Sequence, residues 1–491
     1  LAEYLESAIL RLLEKDPERR FSNAAEVAAV LKLSPEAAAL PSPTGPSAAL
    51  GGLVRGRMVG RDKEIEILRR SWTSAATGRG NLVLISGEPG SGKTRLAREL
   101  GDVVRITGGA VLSGGCYELE AATPYLPFVE ALRLWVHTSD VDELRAAAVD
   151  SGSELARLAP ELESRIGPFP PSPALSAIEQ RLRLYDGIAR CLFHLADPSG
   201  LLLFIDDLHW ADQASISLLQ YLMRLAGRER VLVLGCYRDT ELTRTHPLAE
   251  ALDQWNRERA AVRVHLARLA ADGTTAMLSA LLGDECLSKD FSAEIHRETE
   301  GNPFFIEEVV KTLVNDGQII CDCGEWRRRD EGGHLVLPQG VKAAIGRRLV
   351  HHRARTTDVL RTAAILGKTF GFAELSAVAD QSEDELLDAL DDAVAAQLLE
   401  TGSGEAITFT HDKIREVLYH ELNPIRRRRL HARAAEGLEA LRARGGRVAI
   451  EDLAHHSMEG GCLDKGLAYA TEAAADAVTL FAYADALHLY D

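Results

Sequence analysis

Residues 82–94 read Leu-Val-Leu-Ile-Ser-Gly-Glu-Pro-Gly-Ser-Gly-Lys-Thr, and Leu96 and Leu100 follow at helical spacing. An apolar run of strand length, a Gly-rich turn and a helix in that order are the setting in which G-x-x-x-x-G-K-[ST] grips phosphate. The glycines let backbone N–H groups close around phosphate oxygens, and the helix N-terminus adds a favourable dipole. On this reading Gly87, Glu88, Pro89, Gly90, Ser91, Gly92, Lys93, Thr94 and Arg95 line a site for ATP or ADP. Lys93 reaches the β and γ phosphates and the Thr94 hydroxyl is a ligand for Mg2+. A bare Gly-rich turn with an exposed lysine is the alternative, and the flanking strand and helix count against it.

Working outward, Leu201-Leu202-Leu203-Phe204-Ile205-Asp206-Asp207 is a second apolar run that ends in two carboxylates. Acids at the C-terminal end of a buried strand lie where an open α/β sheet binds its ligands. Asp206 is then the Mg2+ ligand, acting through water, and Asp207 orients or deprotonates the attacking water. A strand ending in Asp-Asp also serves as a helix cap. Its distance behind the phosphate loop, about the length of a sheet, favours the catalytic role.

Further strand-length runs at 111–116, 231–235 and 262–266 alternate with helical patterns. Such alternation predicts a doubly wound parallel sheet in an α/β domain over 58–266. Beyond it helices dominate, so the chain is multidomain, α/β plus α. A helical lid is expected over 267–337, with a hairpin made of 319–323 and 334–337. Residues 338–422 show short helices and then a hairpin at 398–409, the order of a winged helix. Ala-rich segments in 423–491, around Ala434, Ala454, Ala468 and Ala474, predict the start of stacked helix pairs of tetratricopeptide type. Upstream, 1–33 reads as two short helices with a capping-box pattern at Asn23 and Glu26, and the Ser-, Pro-, Ala- and Gly-rich stretch to 57 reads as a flexible linker.

Composition narrows the class. A length of 491 residues predicts about three domains, and 46% hydrophobic with 26% charged residues is ordinary for a globular protein. Lys and Arg number 56 against 73 Asp and Glu, a formal charge of −17, which disfavours nucleic acid and anionic membranes as partners. The apolar runs fall short of the ~20 residues a bilayer span needs, and no secretory leader opens the chain. Seven cysteines, scattered thinly, argue against a disulfide framework and for a reducing cytoplasm. Cys321 and Cys323 lack a second pair at zinc spacing and are assigned to a hairpin. His351-His352 and His455-His456 are neighbours in sequence, which predicts that they diverge on a helix and ligate nothing. Without an initiator Met, and ending inside a helical pattern, the chain reads as a piece of something longer.

The motifs together resemble the STAND class of signal-transduction ATPases, among the AAA+-related phosphate-loop proteins. The resemblance rests on Val59-Gly60-Arg61-Asp62-Lys63-Glu64 before the loop and on Asp206-Asp207 continuing as Leu208-His209-Trp210-Ala211-Asp212. It implies that Val59, Gly60 and Arg61 lie against adenine and ribose. It implies that Arg238, in Cys236-Tyr237-Arg238-Asp239, senses the γ phosphate. Pro303, in Gly301-Asn302-Pro303-Phe304-Phe305, would pack on the base, and His411, in Phe409-Thr410-His411-Asp412, would contact the β phosphate of ADP, although the family's methionine is missing there. By chemistry alone Arg238 also suits a surface ion pair, Pro303 a helix start and His411 a backbone-satisfied core histidine. The basic run Arg426 to Arg429 is assigned to a solvated helix face.

Leu12-Leu13-Glu14-Lys15-Asp16-Pro17-Glu18-Arg19-Arg20-Phe21-Ser22 resembles the last helices of a serine/threonine protein kinase, whose catalytic groups this chain lacks. The resemblances imply a slowly ATP-hydrolysing switch in signal transduction, the regulatory part of a larger serine/threonine kinase or of a transcriptional regulator, that closes on ADP, opens on ATP and can form a nucleotide-dependent oligomer. Its partners would be its own kinase domain and a signalling protein or ligand met through the C-terminal repeats. The rivals are a continuously cycling AAA+ ATPase on nucleic acid and a non-hydrolysing ADP-locked scaffold.

Overall fold

In the computed structural model the described residues are 58–490, excepting 118–122, 150, 171–175, 244–245, 283–287, 323–324, 330–339, 351–353 and 403–405. The kinase-like stretch 1–33, the linker to 57, the strand expected at 334–337 and the His351-His352 pair lie outside them. All five expected long strands are present: β1 (Asn81–Gly87), β2 (Ala110–Gly115), β3 (Leu201–Asp206), β4 (Val231–Tyr237) and β5 (Ala261–Leu266). They form one parallel sheet in the order β2-β3-β4-β1-β5.

Burial on both faces explains why these strands read as unbroken apolar runs. Successive side chains on a strand point to opposite faces. Accordingly Leu82, Leu84, Leu201, Leu203, Val231 and Val233 share one core, while Val83, Ile85, Leu202, Leu232 and Leu234 share the core on the other face. The same register brings the C-terminal ends of β1 and β3 to one edge of the sheet, separated only by β4, where Ile205 and Ile85 lie opposite Gly235 and Cys236. Among the described residues no helix is long and apolar enough to cross a membrane.

The helices Ala271–Leu282, Lys289–Thr299 and Pro303–Asn315 pack around Leu278, Phe291, Ile295, Ile306 and Val309. A hairpin follows. β6 (Ile319–Asp322) pairs with β7 (Glu325–Arg328), where Trp326 packs against the helical core. The next segment runs helix (Ala354–Leu366), β8 (Thr369–Gly371), helices Phe372–Val378 and Glu383–Ala395, β9 (Leu399–Thr401) and β10 (Ala406–Phe409), with sheet order β8-β10-β9. Helix Asp412–Glu421 closes it.

Four further helices, Pro424–Ala443, Ile450–Gly460, Leu463–Thr479 and Tyr483–Tyr490, pack successively. The last returns to the α/β domain. There Asp485 Oδ1 accepts from Gln213 N at 2.9 Å and Oδ2 from Ala214 N at 3.1 Å. This caps the helix (Gln213–Leu225) that follows the paired acids, and Ala474, Ala477, Phe481 and Ala486 join its core.

Candidate functional site

Gly92 has φ +96° and Gly90 φ +82°, backbone that glycine adopts without penalty. The turn they allow starts helix Lys93–Ile106 beneath β1 with its N-terminus facing the end of β3. Thr94 Oγ1 donates to Asp206 Oδ2 at 2.8 Å, so the hydroxyl and the carboxylate that sequence assigned to one metal are adjacent. Their hard oxygen donors fit Mg2+, which takes few protein ligands and keeps its waters. Lys93 is buried and curls into the loop, donating from Nζ to Gly87 O at 2.9 Å and Glu88 O at 3.1 Å. Burial lowers its pKa, against the pull of Asp207 and Asp206.

Asp207 leaves β3 in the left-handed region, φ 53° and ψ 42°, and is buried. Burial, Asp206 and Asp412 push its carboxyl up, while Lys368 and Arg238 oppose them. Arg238 Nε lies 3.6 Å from Asp207 Oδ1, and the same guanidinium meets Glu241 at 3.0 Å, Glu416 at 3.7 Å and Asp412 Oδ2. Lys368 Nζ bridges Asp207 Oδ2 at 3.4 Å and Asp412 Oδ1 at 3.1 Å. Although burial works against it, Lys368 and Arg238 hold the Asp412 carboxyl far below the usual carboxylate range. Two cations from different segments therefore tie the acid at the end of β3 to the acid that opens helix Asp412–Glu421.

His209 is buried, with Nε2 3.3 Å from Glu241 and Nδ1 3.8 Å from Asp207. Burial, Arg238 and Lys93 nevertheless take its pKa down to about 3, so the ring is neutral despite these neighbours.

On the far wall, Asn302 Nδ2 donates to Pro89 O at 3.0 Å and Phe304 N to Gly90 O at 3.2 Å. A Cβ on Gly90 would come within 2.7 Å of Asn302 Oδ1 and 2.8 Å of Phe304 Cβ, so the helical segment clasps the loop only because position 90 is glycine. The Phe304 ring stacks on His411, with centroids 3.7 Å apart and planes at 17°. His411 Nδ1 accepts from Lys413 N at 3.1 Å and so caps the next helix. Lys93, Thr94, Arg95, Asp207, Arg238, Pro303, Lys368 and His411 line one cavity of about 370 Å3, within the range of small-molecule sites.

Sequence reasoning missed Lys368 altogether, because a lysine before a three-residue strand carries no motif. It gave Asp412 no role beside His411. Gly60 and Arg61 stand behind the loop and outside that cavity lining. Arg61 donates to Ala267 O at 2.6 Å and Ser91 O at 3.3 Å and pairs with Glu64 at 3.5 Å, which braces the loop against the end of β5.

Burial lowers the His411 pKa to about 4, with Lys368 and Arg238 assisting and Asp412 opposing. The ring is neutral when folded and gains a proton on unfolding. Its contribution to stability is therefore complete above the ordinary value of ~6.5 and is lost as pH falls towards 4. The denaturation midpoint should fall between pH 7 and pH 5. The fall should be smaller in His411→Asn, which keeps a capping side chain, and an equal fall in both proteins would contradict this role.

Residues 57–234 match the AAA ATPase domain family, and 272–324 match a family described as a domain of unknown function. An uncharacterized protein of Rhizobium meliloti is 23% identical over 444 residues, covering 85% of this chain. The chain spans about 40% of that relative's length. A Pyrococcus horikoshii STAND protein with a tetratricopeptide repeat sensor superposes with TM-score 0.48 and 14% identity, over 89% of this chain and 58% of its own. The Aeropyrum pernix ORC1 protein in complex with DNA gives 0.37 and 14%, over 76% of this chain and 96% of its own.

Proposed function

With an AAA ATPase domain at 57–234 as the premise, we propose that the chain is an ATP-hydrolysing nucleotide switch in signal transduction. The observation that carries this reading is the clamp of Arg238 and Lys368, which joins Asp207 beside the phosphate loop to Asp412 in the following domain. Both cations line the cavity. Phosphate oxygens arriving on Lys93 would compete with the two carboxylates for them. A Mg2+ ion held by Thr94 and, through water, Asp206 would neutralise charge on the β and γ phosphates.

The resting, ADP-bound state is the clamped one, in which Asp207 is engaged and unable to position water. With ATP bound, the cations turn to the γ phosphate, the segment carrying Asp412 moves off, and Asp207 is free to accept a proton from water. Shifting a population from 1:99 to 99:1 needs about 5.5 kcal/mol of differential binding. Two largely buried ion pairs, where loss of one partner costs roughly 3–5 kcal/mol each, supply that order. We read 338–422 as the winged helix of such a switch and 423–491 as the start of its sensor repeats, with a kinase domain upstream as the output.

Lys368→Ala should speed ADP dissociation by at least about tenfold, equivalent to ~1.4 kcal/mol, as followed by chase of a fluorescent ADP. His411→Ala should do the same through loss of the Phe304 stack. An unchanged ADP off-rate in Lys368→Ala would remove the clamp from the switch.

A further inference from the structure

Behind the clamp lies a second cavity of about 640 Å3, whose lining includes Lys368, Glu416, Tyr419, His455 and Glu459. His455 and His456 stand on helix Ile450–Gly460, and His431 faces them from the neighbouring helix Pro424–Ala443. The expectation that the adjacent pair diverges does not hold here. The rings of His455 and His456 are 5.3 Å apart, and both lean on the His431 ring, at 5.3 and 5.1 Å.

We propose that His431, His455 and His456 form a binding site for a divalent first-row transition-metal ion of the zinc type, one that ties the first two helices after Asp412–Glu421 together.

One nitrogen from each of the three rings lies within 4.8 Å of the others. Imidazole nitrogens around zinc at ~2.0–2.1 Å lie roughly 3.4 Å apart in a tetrahedron, so side-chain adjustments of about an ångström close the site. Two of the rings are already closer than that. His431 Nδ1 and His456 Nδ1 are 2.9 Å apart, and one must carry the proton they share.

The Tyr419 hydroxyl, 3.1 Å from His431 Nε2, gives the site a way to load. When His431 Nε2–H donates to Tyr419, His431 Nδ1 presents its lone pair, and His456 is the donor. An arriving ion replaces the His456 proton, which transfers to Nε2 of the same ring through water, and both Nδ1 atoms then ligate. Tyr419 becomes the outer partner that fixes the tautomer of a metal-bound histidine. Burial keeps the His431 and His456 rings neutral, the form that ligates.

His455 is half-buried and lines the cavity, which gives the ion an entrance and leaves its fourth position to water near Glu459. Arg415 and Arg427 lie against the Tyr419 ring, at 6.0 and 5.1 Å, while Glu416 and Glu459 face the cavity. Glu416 is also a partner of Arg238, so ion binding here acts on the helix that holds the clamp.

Titration of Co2+ into the intact chain as purified tests the site, because a tetrahedral nitrogen-rich site gives an intense visible band that an oxygen-lined site does not. The expected result is one ion per chain, displaced by Zn2+. Affinity should be at least tenfold weaker in His455→Ala and in His456→Asn, and about ten- to a hundredfold weaker in Tyr419→Phe, which keeps the ring and removes the outer partner. ATP binding reports that each variant is folded. If His456→Asn fails to fold, His455→Ala, at the cavity edge, decides. Absence of the band in the folded native chain, or undiminished affinity in His455→Ala, would overturn the proposal.

Discussion

Lys93→Ala should lose ATP affinity by roughly ten- to a hundredfold, the loss of one charge-assisted contact of ~1.5–3 kcal/mol. The lysine is buried at the base of the loop, and its Nζ already donates to Gly87 O and Glu88 O. An incoming phosphate exchanges those carbonyl bonds for bonds to anionic oxygen, which are stronger. Alanine removes the only cation that sequence and geometry place inside the turn itself. Lys93→Arg should not restore binding, since a planar fork cannot occupy the seat of a compact ammonium beneath Gly87. Undiminished ATP affinity by calorimetry would refute the phosphate role of this loop.

Asp207→Asn should bind ATP within a few-fold of the native chain and release phosphate about 10²- to 10⁴-fold more slowly, the usual contribution of a positioned general base. The amide keeps the size of the side chain, and its one oxygen can still accept from Lys368 or from Arg238, not from both. The capacity to take a proton from water is lost, together with one ion pair of the clamp. Single-turnover phosphate release separates the two effects. A normal rate would remove Asp207 from the chemistry and leave it as one arm of the clamp.

How much of this could be read from the chain differs from element to element. The sheet was legible because strands buried on both faces are unbroken apolar runs, and all five fell within a residue or two of their expected bounds. The loop and the paired acids were legible because phosphate and magnesium chemistry fixes residue type and spacing; Thr94 and Asp206 are joined at 2.8 Å across 112 residues of sequence. The β6–β7 hairpin was legible only in its first strand. Trp326 packs on the helical core next to Arg327 and Arg328, a charged run with little apolar alternation to betray a strand.

Lys368, Asp412 and the three-histidine cluster were not legible, because each acts only through partners far away in sequence. Lys368 reaches Asp207, 161 positions away. His431 and His456 sit 25 apart on two successive helices, and only the way those helices pack brings their rings together. Arg238 was expected near phosphate; the carboxylates Asp412 and Glu416 around it emerged only from the packing of the following domain.

The nucleotide retained by the purified chain tests the switch most directly. If Arg238, Lys368 and His411 hold a closed, nucleotide-filled state, acid extraction should release close to one equivalent of ADP per chain, and that ADP should exchange slowly until Lys368 is replaced. A chain that emerges empty and turns ATP over rapidly without any activator would contradict the account.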